Sequence, residues 1–133
     1  MFPESFRKLL ESRGFAVIST VEPDGTPQSS AVCFLLDDDG KLKFSLNGSR
    51  RKVKNLQRSP KLSVLFVDAE NPHRTLEVRG TATLAVDADF SFRDKVDAKY
   101  EINAGLYDQP GDTRYIVTVD PKRVREWPPP AAD

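Results

Sequence analysis

Side chains that could bind an anion are concentrated in one basic segment, residues 41–61. This segment contains eight lysines and arginines and no aspartate or glutamate, although the whole chain balances 20 Lys and Arg against 20 Asp and Glu. Arg50, Arg51 and Lys52 fall in the first turn of a predicted helix over residues 50–58. The helix dipole is positive there, so each cation costs about 0.3–1 kcal/mol unless an anion binds beside it. A bound phosphate would make these cations stabilising instead, because it accepts hydrogen bonds both from the N–H groups of the helix N-terminus and from the arginine guanidinium groups.

Two other interpretations of the basic segment stay open. A run of like charges is often only the solvated face of a helix. Binding to an RNA or DNA backbone would require a broader basic face with exposed aromatic side chains. The formal net charge of +0 at pH 7 leaves the whole chain without an excess of charge for nucleic acid or a membrane surface. We therefore expect no nucleic-acid partner and no membrane.

Other reactive residue types are too few for several kinds of site. Cys33 is the only cysteine and His73 is the only histidine, so neither an internal disulfide nor a zinc-type cluster can form. We therefore predict no metal, and redox chemistry would need an organic cofactor. No stretch approaches the roughly 18 apolar residues of a membrane span, and the first residues do not resemble a signal peptide. These features favour a cytoplasmic protein.

The elements that would position the basic segment are mostly strands. Alternating or β-branched residues between turn signals predict six strands, and apolar spacing predicts three short helices. This pattern is typical of a small β-barrel, mainly β with α decoration. We predict one domain over residues 1–127 and a disordered Pro-rich tail over residues 128–133. The predicted strands cover residues 15–21, 26–36, 41–46, 61–67, 74–86 and 115–119, and the predicted helices cover residues 3–13, 50–58 and 90–102.

Five details of these elements can be compared directly with a structure. Ser49 is the predicted N-cap of the second helix, and Asp87 is that of the third. Gly80, inside the fifth strand, predicts a bulge or bend. The almost continuous apolar character of the fourth strand predicts either burial on both of its faces or a place at a barrel core. Pro121 is expected to lie beyond the last strand, in a segment that trails as far as Trp127.

Four sequence motifs occur in an order that resembles a known family. Residues 26–32 (TPQSSAV) follow an Asp-Gly turn, and residues 45–60 (SLNGSRRKVKNLQRSP) have the pattern S-x-x-x-x-R-x-K-x-x-N-L-x-x-x-P. Residues 77–82 (EVRGTA) and 117–127 (VTVDPKRVREW) complete the set. Together they resemble the pyridoxamine 5'-phosphate oxidase-like superfamily of flavin-binding split β-barrels, in which the second motif holds the cofactor phosphate.

The resemblance implies a homodimeric six-stranded split barrel, with the cofactor in a groove at the dimer interface. The short R-x-K-x-x-N-L form with a late tryptophan is most similar to the deazaflavin-dependent oxidoreductases, which use coenzyme F-420. This coenzyme carries a phosphodiester and a polyglutamate tail, so its larger negative charge suits the extra cations of the basic segment. FMN, with a single phosphate, is the alternative cofactor.

The implied reaction is hydride transfer between the reduced deazaflavin and an unsaturated or carbonyl small molecule. The protein would orient the two reactants and exclude water, so no catalytic side chain is assigned. One alternative is an FMN-binding oxidase or electron-transfer protein, and a second is a non-catalytic protein that binds and carries coenzyme F-420. The substrate pocket would be built from loops 69–74 and 103–113.

The resemblance also implies which residues contact the cofactor. Two cations would bind its phosphate, polar residues would lie beside them, and small or backbone groups would contact the ring. The implied contacts are Arg50 and Lys52 with the phosphate, Asn47 and Ser49 beside it, and Ser30, Ala31, Ser45 and Leu46 with the ring. Gln28 and Arg51 are further candidates, of which Arg51 would point to solvent or to the glutamate tail. Trp127, an aromatic residue on the tail, would either lie across the groove of the partner or pack onto the barrel.

Overall fold

The computed structural model describes residues 2–131, in which every strand pairing is antiparallel. This part of the chain contains seven strands, three α-helices and two 3₁₀ turns. The strands are β1 (Ala16–Val21), β2 (Pro27–Val32), β3 (Leu35–Leu36), β4 (Leu42–Asn47), β5 (Lys61–Val67), β6 (Thr75–Val86) and β7 (Arg114–Trp127). The helices are α1 (Arg7–Leu10), α2 (Arg51–Arg58) and α3 (Ser91–Tyr100), and the 3₁₀ turns are Glu4–Phe6 and Ala104–Tyr107.

All seven strands belong to one curled sheet with the order β2-β1-β5-β6-β7-β4-β3, so β2 and β3 are its edges. Successive side chains of a strand point to opposite faces; in β1, Ile18 is fully buried while its neighbour Val17 is exposed. The predicted mainly β split barrel with α decoration is confirmed. Its core includes the fully buried Ile18, Phe34, Phe44, Phe66, Val64 and Val117.

The predicted strand 26–36 is in fact two strands on opposite edges of the sheet. β2 ends at Val32, whereas β3 pairs with β4. The chain leaves the ladder at Phe34, because two side chains of α3 bind its backbone: Phe34 N donates to Tyr100 Oη at 3.0 Å, and Lys99 Nζ donates to Phe34 O at 2.8 Å. Six predicted strands therefore become seven.

The last strand is much longer than predicted, since β7 continues through Pro121 to Trp127. Pro121 has no N–H to donate, and a proline inside a sheet needs an edge or a bulge. The register of β6 and β7 shifts between Arg79 and Gly80, opposite Pro121. The bulge predicted at Gly80 is thus confirmed, and it accommodates the proline that was expected to lie beyond the strand.

For the strand over residues 61–67, a place at the barrel core is confirmed, whereas burial on both faces is not found. In β5, Val64 and Phe66 are fully buried, but Leu65 and Val67 are 37% and 41% exposed. Their apolar side chains lie on the outer face of the sheet, where Leu65 is paired with Glu77 of β6. A continuous apolar run here reflects one core face and one apolar outer face.

Residues 128–131 follow β7 without regular secondary structure, and the last two residues of the predicted tail lie outside the described part. Within residues 2–131, no helix is both long and apolar enough to cross a bilayer.

Replacing Gly80 by alanine should strongly destabilise the fold. A Cβ at this position would lie 2.1 Å from the backbone oxygen of Asp120, which cannot move without disturbing the β6–β7 ladder. We expect Gly80→Ala to lower the free energy of unfolding by about 3 kcal/mol in urea titrations, as overpacking against backbone does. Gly14→Ala is the control, because its Cβ would meet only the Ser12 hydroxyl at 3.3 Å. Equal stability of the two variants would contradict this account.

Candidate functional site

The turn between β4 and α2 is fixed from three sides. Asn47 Oδ1 accepts a hydrogen bond from Ser49 N at 2.8 Å, and Asn47 Nδ2 donates to Asp108 Oδ1 and to Asp112 Oδ2, each at 2.9 Å. Gly48 N donates to Thr113 O at 2.7 Å. A Cβ on Gly48 would lie 2.8 Å from a ring carbon of the neighbouring Tyr115. The turn therefore has little freedom, and it determines where α2 begins.

The N-terminus of α2 has no side-chain cap. Arg50 occupies the N-cap position with extended backbone angles, and the first turn contains no acidic residue. The prediction that Ser49 caps this helix is wrong, because the helix begins at Arg51, which moves the N-cap position to Arg50, and no side chain caps it there. By contrast, the Asp87 side chain does accept hydrogen bonds from Phe92 N and Arg93 N in the first turn of α3, although Phe90 occupies the N-cap position. Arg50 N and Val53 N are already bonded to backbone oxygens, so among residues 2–131 the N–H groups left for an external acceptor at this helix start are those of Arg51 and Lys52.

Two cations at this helix start have no carboxylate partner. Lys52 is half-buried, and its Nζ donates to Ser30 Oγ of β2 at 3.1 Å. Among residues 2–131, neither Lys52 nor the exposed Arg50 forms an ion pair. Burial, and secondarily the positive charge of Arg50, lower the pKa of Lys52 from its ordinary value. A bound anion would offset both effects, because a negative charge beside the ammonium favours its protonated form.

Three other cations of the basic segment already have a partner within the chain. Arg51 pairs with Glu22 at 3.1 Å, at the β1–β2 turn. Lys43 lies 2.8 Å from Asp37 and 2.9 Å from Asp39. Arg58 donates to the backbone oxygen of Val21 and to the side chain of Asn55. The eight cations are therefore not equivalent: among residues 2–131, Lys41, Lys54 and Lys61 also form no ion pair, but of the unpaired cations only Arg50 and Lys52 lie at the start of α2 beside one cavity.

A cavity of about 360 Å³ opens beside these two cations. On its far side, apolar and aromatic side chains come from α3 and the 3₁₀ turn that follows it. Arg114 also lines the cavity, but its charge is compensated by Asp108 at 2.7 Å, and this contact holds the pKa of Asp108 down at about 2. Ala104 and Tyr107 come from loop 103–113, one of the two loops predicted to build the substrate pocket, whereas loop 69–74 does not line this cavity. The lining residues that the sequence did not predict are Val32, Cys33, Val96, Asp97, Ile102 and Arg114.

Six of the eleven predicted cofactor contacts line this one cavity: Ala31, Ser45, Leu46, Asn47, Arg50 and Lys52. Ser30 is linked to the cavity through its hydrogen bond with Lys52, and Ser49 lies in the turn between β4 and α2. Three other predicted residues do not line it. Gln28 accepts a hydrogen bond from Thr20, Arg51 points to Glu22, and Trp127 lies 62% exposed at the end of β7 beside another cleft.

The cavity can anchor an anion and cover an apolar ring, but it holds no obvious acid–base pair. Asp97 Oδ2 accepts from Ala104 N at 3.1 Å, and Asp108 is paired with Arg114. His73, the only histidine, is exposed in the β5–β6 loop. The half-buried Lys52 without a carboxylate fits the phosphate of an organic cofactor. The fold and the site together define a split-barrel protein with a cavity that can accept an anionic ligand.

The family model described as pyridoxamine 5'-phosphate oxidase matches residues 2–128, and the chain belongs to that family. A solved F-420 reductase is 33% identical, with a TM-score of 0.81 over 93% of this chain and 98% of that one. A conserved hypothetical protein from Mycobacterium tuberculosis is 21% identical, with a TM-score of 0.76 over 96% and 84% of the two chains. A putative pyridoxamine 5'-phosphate oxidase from Listeria innocua is 22% identical, with a TM-score of 0.69 over 93% and 96%.

The two structures near 20% identity support the fold alone. Family membership together with the 33% identical structure assigns the chain to an oxidoreductase family that binds flavins or related cofactors. The resemblance derived from residues 45–60 is thereby confirmed at the level of the superfamily.

Replacing Lys52 by methionine should stabilise the unliganded protein. Methionine has a similar length but no charge, so the cost of burying an ammonium beside Arg50 disappears. We expect the free energy of unfolding of Lys52→Met to rise by about 0.5–1 kcal/mol in urea titrations, as is common when a functional strain is removed. The exposed Lys54, replaced in the same way, is the control and should change stability less. A destabilised Lys52→Met protein would mean that the ammonium is already satisfied in the absence of a ligand.

Proposed function

We propose that this protein is a coenzyme F-420-dependent oxidoreductase. It transfers a hydride between the reduced deazaflavin and an unsaturated or carbonyl small molecule. The observation that carries the proposal is the pair Arg50 and Lys52, which have no carboxylate partner and border a cavity with an apolar far wall. The 33% identity to an F-420 reductase supports the choice of cofactor.

The residues of the chain have binding and shielding roles in this proposal. Arg50 and Lys52 bind the phosphate, and the first-turn N–H groups of α2 add hydrogen bonds to it. Val96, Ile102 and Tyr107 cover the opposite side and keep water from the ring. A bound deazaflavin supplies the hydride chemistry itself, so the protein contributes orientation rather than acid–base catalysis.

The charges around α2 bear on the choice between coenzyme F-420 and FMN. One phosphate of either cofactor would satisfy Arg50 and Lys52. The exposed Lys54, on the same helix, offers a further positive charge for the glutamate tail, whereas Arg51 must first release Glu22.

Two alternative functions are an FMN-binding oxidase or electron-transfer protein and a carrier that binds coenzyme F-420 without turnover. An enzyme oxidises the reduced cofactor when an enone or quinone is added, and a carrier protects it.

The groove is proposed to be completed by a second copy of the chain. Phe15, Val17, Leu65 and Val67 are exposed on the outer side of the sheet around β1 and β5, and an apolar patch of this kind is typical of an interface. In such a homodimer, Trp127 would reach the groove of the partner. Light scattering on the purified protein should give twice the chain mass of 14.9 kDa, and a monomer mass would contradict the proposal.

Removing both cations should abolish tight binding of the cofactor. In fluorescence titrations at physiological salt, we expect the wild-type protein to bind coenzyme F-420 more tightly than FMN. Arg50→Ala/Lys52→Ala should weaken binding of coenzyme F-420 by about a hundredfold or more, since two charge-assisted hydrogen bonds are lost. Lys61→Ala removes an exposed cation of the same segment away from the cavity and should change the affinity little.

The other outcomes of this titration separate the alternatives. Tighter binding of FMN would assign the protein to the flavin branch of the family. Binding that survives in the double variant would contradict the phosphate site, and binding of neither cofactor by the wild type would contradict the proposed function.

A further inference from the structure

A buried chain of polar side chains lies beneath α2 and links it to two strands. Asn55 of α2 and Thr20 of β1 are each only 1% exposed. Asn55 Nδ2 donates to Thr20 Oγ1 at 3.1 Å, and Thr20 Oγ1 donates in turn to Gln28 Oε1 of β2 at 3.0 Å. The single hydroxyl proton of Thr20 serves Gln28, and one of its lone pairs serves Asn55. Asn55 Oδ1 also accepts a hydrogen bond from Arg58 at 3.3 Å, so every one of these polar groups is hydrogen-bonded.

The chain runs beside the contact that holds Lys52. Lys52 precedes Asn55 by three residues, so both lie on one side of α2. Ser30, which accepts from Lys52, follows Gln28 by two residues and thus points to the same face of β2. The helix is consequently joined to β2 twice, directly through Lys52 and indirectly through Asn55 and Thr20.

The packing of α2 would not by itself fix the position of the ammonium. Its apolar anchors, Val53 and Leu56, are buried in the core, but apolar contacts have little directional preference. Hydrogen bonds between buried groups are directional and costly to break. Lys52 also has a long side chain with several rotatable bonds. A network that prevents α2 from turning about its axis would reduce the positions open to that ammonium.

We propose that Thr20 and Asn55 are positioning residues that hold the Lys52 ammonium where an anionic ligand group is bound. Gln28 is the third member of this network and acts through Thr20 rather than by touching the ligand. The inference rests on the proposed function for the identity of the anion, but not for the placement of Lys52.

The test replaces Thr20 by valine, which has the same shape but no hydroxyl, and by serine, which retains it. The first readout is the pKa of Lys52 in the unliganded protein, measured by NMR of ¹³C-labelled lysine side chains and assigned with Lys52→Met. We expect Thr20→Val to move this pKa towards its ordinary value, because a less constrained ammonium reaches solvent. Thr20→Ser should keep the wild-type pKa.

The second readout compares coenzyme F-420 with its deazaflavin nucleoside, which lacks the phosphate and the tail. Thr20→Val should weaken binding of coenzyme F-420 by about tenfold, the equivalent of one displaced charge-assisted hydrogen bond. Binding of the nucleoside should stay within about twofold, since no group that contacts the ring has changed. Thr20→Ser should restore the affinity for coenzyme F-420.

A matched control separates positioning from general stability. Val64→Ala makes a cavity in the fully buried core of β5 but removes no hydrogen-bonding group of the network or of Lys52, and it should lower the melting temperature without changing either readout. If Thr20→Val does not fold, Gln28→Met removes the acceptor at the half-buried end of the chain and takes its place.

A Thr20→Val protein with a lowered melting temperature but wild-type values of both readouts would overturn the proposal, because the network would then be only structural. If the wild-type protein bound no deazaflavin, the proposed function would fail, and the pKa of Lys52 would still decide the positioning role.

Discussion

A half-buried lysine without a carboxylate partner is the constraint around which the site is built. Lys52 has lost part of its hydration and lies beside Arg50, and both effects lower its pKa. The folded chain tolerates this cost because the surrounding elements are fixed by other contacts. The Asn47–Ser49 turn is held by β7 and the loop before it, while Asn55 anchors the helix to β1. Such unrelieved charge is characteristic of sites whose stability is completed by a ligand.

The distribution of acidic residues explains why a chain without net charge has a local positive site. Glu22 forms an ion pair with Arg51, Asp37 with Lys43, and Asp108 with Arg114. Each of these pairs removes one cation from competition for a ligand. Within the basic segment the charges of Lys43 and Arg51 are thus compensated, and of the cations left unpaired among residues 2–131 only Arg50 and Lys52 line the cavity, where backbone N–H groups of α2 add to their positive charge.

Local signals in the sequence predicted the features that depend on local chemistry. The helix over residues 50–58, the bulge at Gly80 and the cap at Asp87 each follow from residue type and neighbours within a few positions. The cation pair Arg50 and Lys52 was also predicted to share one site, and the structure brings both to one cavity.

Features that depend on distant contacts could not be predicted in this way. Phe34 leaves the sheet because it is bound by Tyr100, which is 66 positions away. The N-cap position lies at Arg50 rather than Ser49, in a turn whose Asn47 is held by Asp108 and Asp112 more than 60 positions later. Loop 103–113, which supplies Tyr107, was predicted to build a pocket, but the contribution of Val96 and Ile102 could not be predicted, since these residues meet the basic segment only in the folded chain.

A crystal structure of the protein with bound coenzyme F-420 tests the central claim most directly. The account predicts that oxygen atoms of the phosphodiester lie about 3 Å from the Arg50 guanidinium and the Lys52 ammonium, at hydrogen-bond distance. It also predicts that the deazaflavin ring lies in the cavity facing Ile102 and Tyr107. A phosphodiester bound elsewhere, with Arg50 and Lys52 still free of any anion, would contradict it.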